Sequence, residues 1–466
     1  MSQPRMPVQS SEESVRSMAR RARIASRALA KLSLKARNEV LLAQAKAIEE
    51  GRLGILKANA VDCARAEPDV RAGKMSRAMF KRLQVTEQGI AQMATQVREV
   101  ARLGDPLGRR LAATQLDDGL VLYRESCSLG VLGVIFESRP DVVPQLASLA
   151  LKSGNAAIMK GGSEAKETNE AIISIWRECL AEFPELPAES VNLLHSRADV
   201  LELLAQDRDV DLIIPRGSYQ LAQFIMKYSR IPVLGHSEGI CHVYVDRAAD
   251  RKKAIDVTYD SKAQYPAVCN AAETLLVHQA IAPEILPRIV AKLKQASVEI
   301  RGDHKTRALL PGEVIVPATE KDWATEYGDL IISVKVVADL DEAIEHINSY
   351  GSHHTDTIVT EDADAARRFM SEVDSAGVYQ NASTRFADGY RYGFGAEVGI
   401  STGKVHARGP MGLEGLTTYK YKLYGNGHTV AEYVKGEKKF KHRALDLANP
   451  FPPERAKASR TVKARP

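Results

Sequence analysis

The sequence lacks any apolar run approaching the ~20 residues that a membrane helix needs, so no spanning segment is expected. Its first residues, MSQPRMPVQSSEESVRSMARRARIAS, hold no apolar core or small-residue cleavage site, which speaks against a secretory leader or transit peptide. Cysteine is sparse: five residues, Cys63, Cys127, Cys179, Cys241 and Cys269, an odd number at wide spacing with no CxxC. A disulfide framework and a thiolate zinc site are excluded by that pattern. Free thiols fit a reducing compartment, and a cytoplasmic location is expected. The dinucleotide fingerprint GxGxxG is missing, which weighs against an ordinary Rossmann turn. Charge of one sign is also lacking. The net charge is +5, but Asn426 to Pro466 holds ten Lys or Arg and four Asp or Glu, hence +6, leaving 5 − 6 = −1 for the rest. A nucleic-acid binder is not expected from such a body. The basic tail reads as solvated or wrapped on a subunit, with contact to nucleic acid or an acidic partner as the other option.

What is present is 466 residues, too many for one simple core and suited to two or three domains. Ser11 to about Gly104 reads as helices, with apolar residues at spacings of three and four such as Leu41, Ala45 and Ile48. Two short runs, Leu111–Leu116 and Leu120–Arg124, flank Asp117-Asp118-Gly119 and read as a β-hairpin. From Gly130 apolar strands alternate with helices: Val131–Phe136, Ala156–Met159, Val191–Leu194, Leu212–Ile214 and Val233–Leu234, with a helix over Glu167–Glu182. A second series has strands at Cys241–Val245, Thr274–Val277, Leu330–Val337, Thr357–Val359 and Val378–Asn381. Both series predict parallel sheets covered by helices, an α/β fold. The last forty residues, with Asn449-Pro-Phe-Pro-Pro, read as a tail that is disordered or orders on contact.

A free cysteine is more often a small buried hydrophobe than a nucleophile. Cys63 and Cys179 fall in helical patterns, Cys127 ends the hairpin, and Cys241 starts a strand. Cys269 differs. It follows Pro266 on a turn between a helix at Ala254–Lys262 and the strand around Leu275, where a thiol is both held and reachable.

The run Ser261-Lys-Ala-Gln-Tyr-Pro-Ala-Val-Cys-Asn-Ala-Ala-Glu-Thr-Leu-Leu-Val-His resembles the nucleophile segment of the γ-glutamyl phosphate reductase family, above all the reductase half of the pyrroline-5-carboxylate synthases. Six further segments match in order: Gly133-Val-Ile-Phe-Glu-Ser-Arg-Pro-Asp, Lys160-Gly-Gly-Ser-Glu-Ala, Ile214-Pro-Arg-Gly-Ser, Gly235-His-Ser-Glu-Gly-Ile-Cys-His-Val-Tyr-Val-Asp, Gly395-Ala-Glu-Val-Gly-Ile-Ser-Thr and His406-Ala-Arg-Gly-Pro-Met-Gly-Leu-Glu-Gly-Leu-Thr-Thr. The likeness spans residues 15 to 430. It implies an aldehyde-dehydrogenase-like fold: two parallel-sheet α/β domains plus a small β oligomerisation extension. The expected boundaries are N-terminal helices of the cofactor domain (1–105), a hairpin of the extension (106–128), an NADP-binding α/β domain (129–238), a catalytic domain (239–386), a return segment and extension (387–425), and the basic tail (426–466).

The resemblance also implies a reaction, the NADPH-dependent reduction of L-glutamyl 5-phosphate to L-glutamate 5-semialdehyde and phosphate in proline biosynthesis, with a thioester on Cys269. It implies a separate glutamate 5-kinase as functional partner and a homo-oligomer, dimer or tetramer. Arg139 stands where other aldehyde dehydrogenases place an oxyanion-holding Asn, and would bind acyl phosphate or substrate carboxylate; Asn270 could add a polar group. Ser383 and Arg385 fall where the family places substrate contacts. For NADP(H), Lys160, Gly161, Gly162 and Ser163 form a strand-to-helix turn suited to the adenosine ribose and its 2′-phosphate. Gly217 and Ser218 resemble the pyrophosphate site. Glu326 lies near the nicotinamide-ribose Glu. The water-activating Glu of hydrolytic relatives is missing: Glu238 comes a few residues late, leaving it to shape the site or sit on a surface turn. That absence disfavours a hydrolytic aldehyde dehydrogenase, and the intact Cys269 segment disfavours a silent scaffold. His353-His354, expected to point apart on a strand, complete no ligand set, and no metal is expected.

Overall fold

The computed structural model describes residues 14–235 and 238–447. The N-terminal helices are Val15–Leu29, Leu34–Glu50, Arg52–Arg71, Arg77–Leu83 and Glu87–Arg102. Ser14, Ser33, Ser76 and Thr86 cap four of them, each side chain accepting a first-turn N–H. Leu41, Ala45 and Ile48 face inward, as their spacing predicts. These helices pack beside a four-stranded parallel sheet in the order Val191–Leu193, Ala156–Lys160, Val131–Phe136, Leu212–Arg216. Residues Val233–Leu234 do not form a full strand; Val233 only bridges Ile213, because Gly235 follows at once.

The second sheet has seven parallel strands, ordered Val316–Pro317, Glu299–Gly302, Ile331–Val337, Ala272–His278, Cys241–Val245, Thr355–Val359, Gly377–Gln380. The first two escape the periodicity argument. Glu299–Gly302 has one buried apolar residue, Ile300, between charged neighbours, and Val316–Pro317 is exposed. His353 and His354 precede the strand Thr355–Val359 rather than lying on it. His353 takes a left-handed φ of 59° and pairs with the Asp374 carbonyl, whereas His354 is buried.

The hairpin is Arg110–Asp117 and Leu120–Ser128, turning at Gly119 with φ 71°. Thr417–Tyr424 adds antiparallel to its second strand and Arg443–Ala444 to its first. The basic segment is therefore not free through Leu447. Tyr433 donates to Asp117, and Lys441 pairs with Asp117 and Asp118. The rest of the tail, 448–466, and the start, 1–13, lie outside the described residues.

The core of the first sheet is completed late. Ala396, Val398, Met411, Leu413 and Leu416 are buried in it. The short hairpin Gly399–Ser401/Gly409–Met411, which the alternation does not reveal, delivers them. No helix among the described residues is long and apolar enough to cross a membrane.

Beside the seven-stranded sheet, His346 of the helix Leu340–Tyr350 is buried against Trp323, Tyr350 and His242. Burial, aided by His242 and Lys335, pushes its pKa from 6.5 down to about 2. The unfolded chain thus takes up a proton that the fold refuses between those values. Stability should fall as pH drops below 6.5, by up to about 1.4 kcal/mol per unit. His346→Phe should flatten this slope in urea midpoints measured from pH 7 to 5; an unchanged slope would assign it elsewhere.

Candidate active site

Cys269 sits on the loop between the helix Arg251–Ala263 and the strand Ala272–His278. The helix starts at the Asp250 cap, and a turn closed by the Ala271 N–H on the Val268 carbonyl sets the thiol just before the strand. The loop is held from two remote segments. On one side, the buried Cys241 thiol lies 3.3 Å from the Cys269 carbonyl oxygen as its donor, and Gly239 packs on the Cys269 backbone so closely that a Cβ there would lie 2.5 Å from its Cα. Burial pushes the Cys241 thiol pKa up, in keeping with a packing role. On the other side, Asn270 donates its amide to the Ala387 carbonyl (2.8 Å), and the Thr384 hydroxyl donates to the Asn270 carbonyl (2.7 Å).

Cys269 opens into a cavity of about 580 Å³ at the junction of the two parallel sheets. Arg139, Arg385, Gly217, Ser218, Glu326 and Asn270 line it too. Seven of the twelve residues singled out from the sequence therefore share one hollow: Cys269 and these six. The Asn270 amide nitrogen is committed to Ala387, so its side chain works first as a tie. Ser383 is buried behind the wall, where its hydroxyl receives the Ser261 hydroxyl (3.2 Å) and the Arg385 N–H (3.2 Å). Arg385 itself is oriented by Gln264, which accepts its Nε–H at 2.9 Å. Burial and Arg391 lower its pKa while Cys269 acts in the opposite direction, which places the guanidinium within electrostatic reach of the sulfur.

Sequence reasoning missed Arg216. It ends the strand Leu212–Arg216, lines the cavity, and donates to the Val398 carbonyl. Burial and Arg139 depress its pKa, and Cys269 lies within its field. The available signal was its place in Ile214-Pro-Arg-Gly-Ser, at the carboxyl end of a parallel strand, where α/β folds open their clefts.

Lys160, Gly161, Gly162 and Ser163 do not line this cavity. Lys160 ends its strand half-buried, and burial lowers its pKa against the pull of Glu164. Gly161 lies against Phe136 and Asn169, Gly162 against the Glu164 carboxylate, and Ser163 is exposed at the start of a single turn. Glu164 accepts from the Ser138 N–H (2.8 Å) and hydroxyl (2.6 Å), so this turn is joined to the loop bearing Arg139. Ser218 caps the helix Tyr219–Tyr228, and its N–H donates to the Glu137 carboxylate at 2.7 Å. An anionic oxygen at that N–H shows that the helix start accepts negative charge. Ser218 and Glu326 thus share the cavity of Cys269, while Lys160 and Ser163 lie on a separate strand-to-helix turn that Glu164 ties to the Arg139 loop. Glu238 is partly buried, and burial and Glu326 raise its pKa. Its neighbours His236 and Ser237 lie outside the described residues.

A larger hollow, about 780 Å³, lies beside Leu103, Arg109 and His406, but it has no thiol in its wall. No cluster of three or more His, Cys, Asp or Glu able to hold a metal occurs among the described residues.

The model of the aldehyde dehydrogenase family matches residues 5–308. A γ-glutamyl phosphate reductase of Synechococcus is 54% identical over 93% of this chain and 95% of its own. The chain belongs to the γ-glutamyl phosphate reductases of the aldehyde dehydrogenase family. It is an oxidoreductase. The crystal structure of the Thermotoga maritima γ-glutamyl phosphate reductase superposes with a TM-score of 0.86 at 43% identity, covering 90% of this chain and all of that one. An aldehyde-dehydrogenase fold with two parallel sheets is thereby established. A Methanocaldococcus jannaschii glyceraldehyde-3-phosphate dehydrogenase complexed with NADP shares the fold at 18% identity, TM-score 0.61, covering 88% of this chain and 94% of that one.

Proposed function

We propose that this enzyme reduces L-glutamyl 5-phosphate with NADPH to L-glutamate 5-semialdehyde and phosphate, the second step of proline biosynthesis, through a thioester on Cys269. The observation that carries the reading is one cavity holding Cys269 together with Arg139, Arg216 and Arg385. An acyl phosphate with an α-carboxylate is strongly anionic, and guanidinium groups match both kinds of oxyanion.

The Cys269 thiolate attacks the acyl carbon, and the C–O bond to phosphate breaks. Arginines at the cavity wall hold the departing phosphate and the substrate carboxylate. Glu397 and Asp388, also in the wall, suit the substrate ammonium. The Cys269 backbone N–H is the candidate donor to the oxyanion. When bound, the nicotinamide supplies hydride to the thioester carbon. The resulting thiohemiacetal on Cys269 collapses, releasing the aldehyde and restoring the thiol. Glu238 comes a few residues late in the sequence for a water-activating base, which suits a thioester kept for hydride. The sheet of Arg110–Asp117, Leu120–Ser128 and Thr417–Tyr424 is assigned to oligomer contacts, and the acyl phosphate to a separate kinase in the cytoplasm.

Run in reverse, glutamate 5-semialdehyde should reduce NADP⁺ only when phosphate is added, and more efficiently than NAD⁺. Robust turnover without phosphate would replace this reading by a hydrolytic one.

A further inference from the structure

The nucleophile loop has a third anchor, at its base. Lys262, one turn before the loop, and Glu273, at the start of the strand after it, form an ion pair at 2.6 Å with both side chains fully buried. The pair closes the base of the loop seven residues before and four residues after Cys269. The second Glu273 oxygen accepts the Gly328 N–H at 3.2 Å. Gly328, with a left-handed φ of 60°, is two residues from the cavity-lining Glu326. One buried carboxylate therefore touches the element that carries the thiol and the element that carries Glu326.

We propose that Lys262 and Glu273 are positioning residues that lock the Cys269 loop to the Glu326 loop, so that the bound dinucleotide is set in register with the sulfur. This rests on the reading of Glu326 as a dinucleotide contact. A pair kept for stability alone is a poor use of two buried charges, because apolar residues of similar size commonly replace such a pair without loss. Such a pair makes sense where the carboxylate has a second partner, and the Gly328 N–H is that partner. Burial drives the Lys262 and Glu273 pKa values toward each other, so each depends on the other to stay charged. The neighbouring Asp329 and Glu326 act on the two partners in opposite senses, Asp329 supporting the Lys262 charge and Glu326 opposing the Glu273 charge.

The test uses Lys262→Met, Glu273→Leu and the double variant of the full chain. Each single change strands one partner in the interior and should lower the thermal midpoint. The double variant should regain that midpoint yet keep a dinucleotide KM raised about tenfold, since the Gly328 N–H has lost its acceptor. Its KM for phosphate and its rate of Cys269 alkylation by iodoacetamide should stay at the parent's values. A double variant with parental midpoint and parental dinucleotide KM overturns the proposal. Should it not fold, Glu273→Asp carries the same test. It keeps the charge for Lys262 but withdraws the carboxylate by about 1.5 Å, one C–C bond, so a raised dinucleotide KM with unchanged phosphate KM is expected and an unchanged dinucleotide KM overturns the proposal. NADPH fluorescence quenching separates the two readings. A parent enzyme that binds no NADPH refutes the dinucleotide site and this inference together, whereas equal binding by the parent and the double variant refutes the inference alone.

Discussion

Cys269→Ala should lose about 10⁴- to 10⁶-fold in kcat/KM for phosphate-dependent NADP⁺ reduction, the scale on which covalent catalysts fail without their nucleophile. The fold should survive. Cys269 is only partly buried, and its structural ties run through the backbone: its carbonyl meets the Cys241 thiol, and Gly239 packs on its Cα. Alanine keeps that backbone, so the change in stability should stay within about 1 kcal/mol. NADPH quenching should also persist, because the proposed dinucleotide contacts are Ser218, Lys160 and Glu326, not Cys269. Activity near the parent's would move the chemistry to another residue. The other four cysteines offer no substitute in this cavity: Cys241 and Cys179 are buried, and Cys63 and Cys127 have thiol pKa values raised chiefly by burial.

Gly239→Ala is the second large effect, and it reaches the same sulfur from outside. The added methyl would stand 2.5 Å from the Cys269 Cα and closer still to its carbonyl oxygen. Both are main-chain atoms, so no flexible side chain can absorb the overlap. The loop must shift by the order of an ångström, and such a displacement of a reacting group costs about 10²-fold in rate. The sulfur remains in place chemically. Gly239→Ala should therefore still be alkylated by iodoacetamide while kcat/KM falls, which sets it apart from Cys269→Ala. Parental kcat/KM in this variant would mean that the loop tolerates movement.

These two residues illustrate what a sequence reveals. Cys269 announced itself by lying between a helical and a strand pattern, within a long run shared with known reductases. Gly239 belonged to another shared run, but its reason is a contact across 30 residues that no local pattern encodes. Arg216 lay just past the strand read at Leu212–Ile214, and its partner, the Val398 carbonyl, is far along the chain. Lys262 closed the helix read at Ala254–Lys262, and nothing local marks its buried partner. Glu273 did leave a trace: a carboxylate in Ala272–His278, a strand buried throughout, needs a partner. The central strands were legible because they are short apolar runs between turn residues. Glu299–Gly302 and the edge strand beside it, Val316–Pro317, were not, since the first buries a single apolar side chain, Ile300, and the second none. The turn Lys160–Ser163, read from the sequence as suited to the adenosine ribose and its 2′-phosphate, lines no wall with Cys269. A dinucleotide is long, and its two ends need not share a hollow.

The return of residues 396–416 to the first core also sets a timetable for the nascent chain. Among the described residues, that core draws on residues up to Leu234 and next on Ala396, a gap of 396 − 234 = 162 positions. At ~5–20 residues per second, translation takes roughly 8 to 30 s to cross it. Throughout that interval the amino-terminal half waits with an apolar flank open to chaperones, and only near the end of synthesis does the chain seal it.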